Sequence, residues 1–380
     1  MSKQVKTPRF YVDIPTFLHA TGELEWDGGK GGAELLYMNP SNPYIREFTS
    51  ATVFRIGKNT NRTIKTSFGV NFAAVLNHNL AKGSIDTEGD EPGFKINGIR
   101  GKHWENDDND DWDWENLTTG GNFGASVLNS NQGAAGRINP DYNGTSIFTL
   151  SSTVEGYWRQ FDVRYDGNTL DSEYNHQLGS LVVGRYWDAP HSPDLNLTMS
   201  RRFDGIKRQK TIGGKTLANI YYDGPTEWTM NGPEGVPYKY PPFELDTTHY
   251  VDTEGHRIDY RAKSGLGRKG LRSWKLTFSY ISDDDMWMDN EVSSKLTADN
   301  IADDDSGSAV ANPMLSDDSF NFVWNVTLGG TLPFIFQPDN SVTGTNPDRF
   351  SICTFRENTL SVKQVAHNTY SLSITIDEVA

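Results

Sequence analysis

Residues 71–80 read NFAAVLNHNL, and residues 178–187 read LGSLVVGRYW. Each segment contains a short continuous apolar run, Phe72 to Leu76 in the first and Leu181 to Val183 in the second, bounded by Gly, Ser or Asn. This pattern is typical of a strand covered on both faces, because neither face then carries polar side chains. Both segments are therefore predicted to be central strands.

Elsewhere apolar and polar residues alternate with a period of two. Residues 274–280 (WKLTFSY) and 320–328 (FNFVWNVTL) each predict a strand with one buried face. Residues 360–364 and 370–376 predict a terminal hairpin. Residues 157–165 run into an Asp-Gly-Asn turn sequence, which predicts another hairpin.

Helical periodicity is scarce, and the best candidate is the short segment 294–302. Many short strands separated by Gly, Pro and Asn turns, with very little helix, predict an all-β fold. We expect two β-sandwich domains of the jelly-roll or Greek-key type.

The domain prediction follows shifts in composition. Residues 1–50 are expected to form an arm and connecting segment, 51–225 a first sandwich, and 226–380 a second. Residues 84–145 and the acidic residues 283–318 are expected to be long loop insertions at the surface, where loops of that length usually make contacts.

Composition excludes several classes of protein. The 380 residues are 36% hydrophobic, with no apolar run near the ~18 residues of a membrane-spanning helix, so no membrane insertion is expected. An aromatic content of 12% is wrong for a disordered chain. The net charge of -15 opposes binding to nucleic acid. Cys353 stands alone and the amino terminus lacks a signal-like apolar stretch, which predicts synthesis in a reducing cytoplasm.

Residues 105–115 (ENDDNDDWDWE) have the most unusual local composition. Their spacing does not match a calcium-binding EF-hand, so no metal site is predicted. If the segment is extended, Trp112 and Trp114 point the same way and, with Asp111 and Asp113, could contact sugars or a neighbouring subunit. Packing of the indoles against their own domain is the alternative.

Basic residues cluster in two later stretches of this acidic chain. Such segregation suits docking of unlike charges between copies or partners, although a solvated basic face is the simpler alternative. The candidates for a basic docking patch are Arg201, Arg202, Lys207, Arg208, Arg268, Lys269 and Arg272.

No motif for catalysis is complete. Residues 211–216 (TIGGKT) are similar to the end of a phosphate loop, but Gln209 stands in place of the first Gly, so we interpret the segment as a turn. His78 is expected to be a hydrogen-bonded residue at a strand end. The sequence thus favours a protein that is not an enzyme and has no cofactor.

The two segments quoted first resemble, in their order, the galactose-binding-type sandwich modules of structural proteins in tailed bacteriophages. Residues 272–283 (RSWKLTFSYISD), 333–338 (PFIFQP) and the terminal hairpin are similar to the module that follows. The insertion 84–145 departs from that pattern, and no binding residue is carried over from the family. The resemblance implies a virion component of the tail, baseplate or fibre, made in the host cytoplasm.

Three functions remain open at this point. The leading hypothesis is a non-enzymatic virion structural protein whose partners are other virion proteins and copies of itself. The first alternative is a carbohydrate-binding module that recognises a host surface glycan through Trp112 and Trp114. The second is a polysaccharide-degrading enzyme, which needs only two suitably spaced carboxyl groups.

Overall fold

The computed structural model describes residues 5–24, 32–38, 44–47, 52–57, 67–78, 80, 93–101, 112–133, 136–141, 144–165, 175–202, 206–220, 270–288, 313–344 and 349–379. Strand accounts for 56% and helix for 12% of the structure. The prediction of an all-β class with very little helix is confirmed.

The elements are short, apart from three strands of 12 or more residues. The strands are β1 (Arg9–Asp13), β2 (Tyr44–Glu47), β3 (Thr52–Gly57), β4 (Ser67–His78), β5 (Phe94–Gly101), β6 (Trp112–Asn116), β7 (Phe123–Leu128), β8 (Asn131–Gln132), β9 (Ile138–Asn139), β10 (Gly144–Tyr165), β11 (Asn175–Leu178), β12 (Ser180–Asp188), β13 (Thr198–Arg202), β14 (Ile206–Lys210), β15 (Thr216–Ile220), β16 (Leu271–Ser282), β17 (Phe334–Gln337), β18 (Ser351–Phe355), β19 (Val362–Ala366) and β20 (Thr369–Glu378). The α-helices are α1 (Ile14–Ala20), α2 (Asp283–Met286), α3 (Pro313–Ser316) and α4 (Phe320–Val326), and Gly32–Leu35 form a 3-10 helix.

One antiparallel sheet contains 16 of these strands. Its main path runs β13-β16-β20-β18-β17-β1-β12-β4-β10-β5-β9-β8. Four strands pair beside that path: β19 with β20, β6 with β5, and both β3 and β7 with β10. Two separate pairs are β11 with β2 and β14 with β15.

The two apolar runs lie at the centre of the sheet, as predicted. Strands β4 and β12 pair with each other, and β4 also pairs with β10 while β12 pairs with β1. Phe72, Ala74 and Leu76 pack in a smaller hydrophobic cluster on one face. Ala73 and Val75 pack in the larger cluster on the other face. Both faces are therefore covered, which is why no polar residue interrupts the run.

Strand β1 joins the two halves of the chain. The sequence predicts an arm over residues 1–50, whereas β1 lies between β12 and β17 inside the sheet. Phe10 is opposite Trp187 on one side and Phe336 on the other. Its ring centroid lies 5.6 Å from that of Trp187 and 5.3 Å from that of Phe336, and it also contacts the rings of Phe320, Phe334 and Phe355. Phe10 is thus the centre of an aromatic cluster built from both halves.

The strand predicted over residues 320–328 is wrong, because residues 320–326 form helix α4. Ser319 caps this helix by accepting a hydrogen bond from the Phe322 N–H, and Leu328 and Gly329 end it with positive φ angles of 51° and 65°. The apolar residues recur at i, i+3 and i+6 as well as at every second position, so the pattern fits both periods. Burial of Phe320 and Val323 against the aromatic cluster selects the helix.

The insertion 84–145 contributes to the sheet, and its prediction as a surface loop is wrong for the residues described. It supplies β5 to β9, and Phe94, Ile96 and Ile138 are buried in the larger cluster. Gly120, Gly121 and Asn129 lie between successive short strands. The hairpin predicted after residues 157–165 is also not formed by the next described strand, because β11 pairs with β2.

Other predicted strands are confirmed. Residues 274–280 lie in β16, and β19 and β20 form the terminal hairpin, with Asn368 in the turn at a φ of 51°. Strand β20 also pairs with β16 and β18, so the end of the described chain is held inside the sheet. The helix candidate 294–302 lies outside the described residues.

The boundary predicted near residue 225 stays a prediction, because residues 221–269 lie outside the described part. Strands from before that gap, such as β12 and β13, and strands from after it, such as β16 and β17, belong to one sheet. Among the described helices none has the length and apolar character required to cross a membrane.

His78 ends β4 and is fully buried. Its Nε2 lies 2.8 Å from Ser146 Oγ, and its Nδ1 accepts a hydrogen bond from the Leu80 N–H at 3.2 Å. Burial lowers the pKa of this imidazole to about 3. His78 is therefore a neutral, hydrogen-bonded core residue, as expected from the sequence.

We expect Phe10→Ala to destabilise the fold by about 3 to 5 kcal/mol, since it leaves a cavity where both halves of the core meet. Urea unfolding followed by circular dichroism measures this change. Tyr280→Ala is the matched control, because Tyr280 is exposed on β16 and should cost little. A loss for Phe10→Ala no larger than for Tyr280→Ala would contradict the central role of β1.

We expect the stability advantage of the wild type over His78→Asn to shrink by roughly 2 kcal/mol as the pH falls from 6.5 to 5. The unfolded imidazole takes up a proton below its usual pKa of 6.5, whereas the buried one does not until about pH 3. Asn keeps an acceptor for the Leu80 N–H, and all other titrating groups cancel in the difference. Parallel stability curves for the two proteins across this pH range would contradict the assignment.

Candidate functional site

One face of the sheet segment formed by β3, β10, β5 and β6 carries polar side chains. Asp162 on β10 is opposite Arg55 on β3 and Asn97 on β5, and Ile99 on β5 is opposite Trp114 on β6. Directly opposite residues, and residues two apart along a strand, project from the same face. We call this surface the outer polar face. The residues that alternate with these, such as Phe161 and Ile96, belong to the larger core cluster on the other face.

Asp162 organises the outer polar face. Its side chain is fully buried and accepts hydrogen bonds from Arg55 Nε at 2.9 Å, from Arg164 Nη2 at 3.3 Å, and from Gln160 Nε2 at 3.1 and 3.0 Å to its two oxygens. A carboxylate has about four acceptor positions, so these bonds occupy it. Two guanidinium groups share this one negative charge.

Trp114 is an aromatic residue on the same face. The residue is 51% exposed, and the guanidinium carbon of Arg164 lies 3.9 Å from its ring centroid. Guanidinium groups are attracted to the face of an indole at this distance. Because Asp162 holds Arg164 and Arg164 stacks on Trp114, the indole is positioned by a buried hydrogen-bond network.

Two atoms of this network have no hydrogen-bond partner within the described part of the chain. They are Gln160 Oε1, an acceptor, and Arg164 Nε, a donor, and both are buried. A buried polar atom without a partner costs stability, so each of these two atoms calls for a partner such as an ordered water or an ion.

The structure places only some of the predicted sugar-contact residues. Trp114 lies in the outer polar face, as described. Trp112 and Asp113 belong to β6, but their side chains are outside the described structure, as is Asp111 entirely. The sequence did not single out Arg55, Asp162, Gln160 or Arg164. Their alternation along β3 and β10 was the available signal, but the partners of those strands were unknown.

The structure also describes only some of the candidates for the basic docking patch. Arg201 and Arg202 on β13 and Arg208 on β14 are exposed. Lys207 belongs to β14, with its side chain outside the described structure, and Arg268 and Lys269 fall outside it altogether.

Arg272 is not a surface residue, which corrects its assignment to the docking patch. It is buried, and its guanidinium donates to Glu378 Oε1 at 3.0 Å, to the Phe350 carbonyl at 2.5 Å and to Ser351 Oγ. The physical reason is the period of β16, which points Arg272, Trp274 and Leu276 to the same buried face.

A second feature is the hairpin of β14 and β15, which we call the basic hairpin. Its register runs from Ile206 opposite Ile220 to Lys210 opposite Thr216, and Thr211 N–H donates to the Lys215 carbonyl at 2.8 Å to close the turn. The TIGGKT segment is therefore a turn, as interpreted from the sequence. Every side chain described in this hairpin is exposed.

The basic hairpin presents large apolar residues to solvent. Ile212 at its tip is fully exposed and Leu217 is 56% exposed. Neither strand pairs with any third strand in the described structure. Strand β13, which precedes it, pairs only with β16 among the described strands and exposes all five residues. Within the described part of the chain it is therefore an edge strand.

Asp13 is another buried titratable group, in addition to His78 and Asp162. It accepts hydrogen bonds from Thr16 Oγ1 and, at 3.2 Å, from the Val183 N–H, and its burial raises the pKa to about 7. Its location between β1 and α1 gives it a structural role.

Across the described residues, no group of three or more His, Cys, Asp or Glu side chains is arranged to hold a metal ion.

Comparison with known proteins adds no further constraint. A scan against protein-family models, a search of curated proteins and a search of solved structures each found no match. The resemblance to phage sandwich modules therefore stays a prediction.

Proposed function

We propose that this protein is a non-enzymatic structural subunit of a tailed bacteriophage virion, in its tail, baseplate or fibre apparatus. It would assemble there with copies of itself and with other virion proteins. The observation that carries the proposal is the basic hairpin, whose described side chains are all exposed and include Ile212 and Leu217.

The stability of the basic hairpin supports this proposal. Two strands without a third strand or a covering helix are at best marginally stable in water. Exposed Ile and Leu side chains on such an element gain free energy when a partner covers them, by roughly 1.5 to 3 kcal/mol each if buried completely. A neighbouring subunit that covers the basic hairpin would stabilise its two strands and bury its exposed Ile and Leu side chains.

Charge favours another copy of this chain as the neighbour. The basic hairpin contains Lys207, Arg208, Lys210 and Lys215 and no acidic residue, whereas the whole chain carries a net charge of -15. Docking of this element onto an acidic copy therefore joins unlike charges, which directs association and its register. The edge of β13 offers main-chain groups for strand addition in the same region of the sequence.

The second candidate function is glycan binding at the outer polar face. The observation that favours it is the half-exposed indole of Trp114, fixed by Arg164 and the buried Asp162. An apolar ring beside fixed polar groups suits a sugar, which has both an apolar face and hydroxyl groups. A virion subunit with this face would contact the host surface. The enzyme alternative rests on composition alone.

We expect Ile212→Ser with Leu217→Ser to weaken self-association by about tenfold or more, because two apolar side chains lose their cover in the assembly. Sedimentation velocity at a series of protein concentrations measures this. Leu195→Ser is the matched control, since Leu195 is also fully exposed but lies outside the basic hairpin. A wild-type protein that stays monomeric at all concentrations and is absent from purified virions would refute the proposal.

We expect Trp114→Ala to abolish binding on a glycan array and Trp114→Phe to retain part of it, because the smaller ring keeps some stacking surface. Tyr280→Ala serves as the control for removing an exposed aromatic side chain elsewhere. Array binding that is unchanged in Trp114→Ala would exclude the outer polar face as the site.

A further inference from the structure

We propose that the outer polar face recognises an acidic sugar, one that carries a carboxylate such as a uronic acid, in preference to a neutral sugar. The inference rests on the glycan-binding candidate function above and names its ligand class. Three observations support it: the charge of the Arg55, Asp162 and Arg164 cluster, the polar groups that a ligand can reach, and the position of Trp114.

The charge of the hydrogen-bonded cluster is positive. Arg55 and Arg164 both bond to Asp162, so two cations share one anion and one positive charge is left over. This excess stands out in a chain of net charge -15. An anionic group that reaches Arg55 and Arg164 is therefore attracted to this cluster.

Accessibility points in the same direction. The Asp162 side chain is fully buried, whereas those of Arg55 and Arg164 are 19% and 29% exposed. Because its acceptor positions are filled by Arg55, Arg164 and Gln160, Asp162 is not available to accept hydrogen bonds from sugar hydroxyls. At Arg55 and Arg164 a ligand meets hydrogen-bond donors, for which it must itself supply acceptors.

Arg164 has donor capacity left for a carboxylate. Within the described residues only its Nη2 donates, to Asp162, so the N–H groups of Nη1 are unused there. Guanidinium groups bind carboxylates through charge-assisted and often paired hydrogen bonds, which are about twice as strong as neutral ones. The Asp162 bond holds this group in one orientation, which lowers the entropy lost on binding.

Trp114 supplies the second point of recognition. The guanidinium of Arg164 covers part of the indole, and 51% of the residue is exposed. A sugar ring stacked on the exposed indole would thus place a ring substituent next to Arg164. A carboxylate at that substituent gains a charged hydrogen bond that a hydroxymethyl group or an ester does not.

The test compares oligogalacturonate with its methyl ester by isothermal titration calorimetry on the full chain. The two probes have the same sugar rings and differ in charge. We expect the acid to bind at least about tenfold more tightly, as expected for a hydrogen bond between charged groups. Arg164→Gln should remove this preference, and Trp114→Ala should remove binding of both probes.

Two controls isolate the effect of Arg164. Arg356→Gln removes another exposed Arg that donates to a carboxylate, that of Asp377, and should leave the preference unchanged. Unfolding temperatures of Arg164→Gln and the wild type show whether loss of an Asp162 partner has disturbed the fold. If it has, Arg164→Lys, which keeps the charge but lacks the guanidinium fork, should show an intermediate preference.

The outcomes separate this inference from the function on which it rests. Equal affinity for acid and ester, with both lost in Trp114→Ala, would overturn the preference for acidic sugars and leave glycan binding intact. Failure of the wild type to bind either probe would overturn the inference as well. Only a glycan array without any Trp114-dependent binding would also remove the glycan-binding function.

Discussion

The pairing of β1 on both of its edges is the constraint on which the rest of the fold depends. All five residues of β1 align with β12 and three of them also align with β17. Tyr11 Oη donates to Gln337 Oε1 at 2.7 Å across a separation of 326 residues. Alternation along β1 places Phe10 in the larger cluster and Tyr11 in the smaller one. A register slip of one residue would exchange these faces, so both clusters depend on the same alignment.

This arrangement determines where the protein can offer contacts. Because both faces of β4 and β12 are covered, exposed recognition groups belong to the outer parts of the sheet. The outer polar face is built on β3, β10, β5 and β6, whereas β13 begins the strand path at its other end. A structural subunit with these features would keep host recognition and subunit contacts on different strands, so that each surface is free to change without disturbing the other.

The candidate site was visible in the sequence only through Trp114, since its acidic and aromatic surroundings are unusual. Asp162 and Arg164 follow Trp114 by about 50 residues in the sequence and belong to the 22-residue strand β10. This strand changes partners along its length, and its pairing contains register shifts. Their meeting with Trp114 depends on those shifts, which no local pattern predicts. Arg272 was misplaced for the opposite reason. Its charge suggested the surface, but the period of β16 already pointed it inward.

By itself the sequence determined the all-β class, the central position of β4 and β12, the terminal hairpin and the structural role of His78. These follow from local patterns, because the period of two decides which side chains share a face. Tertiary structure decided that residues 320–326 form a helix, that β1 is an interior strand and that Arg55, Asp162, Arg164 and Trp114 form one network. The physical reason is that packing against residues distant in the chain outweighs weak local preferences, and one sequence pattern satisfies several such packings.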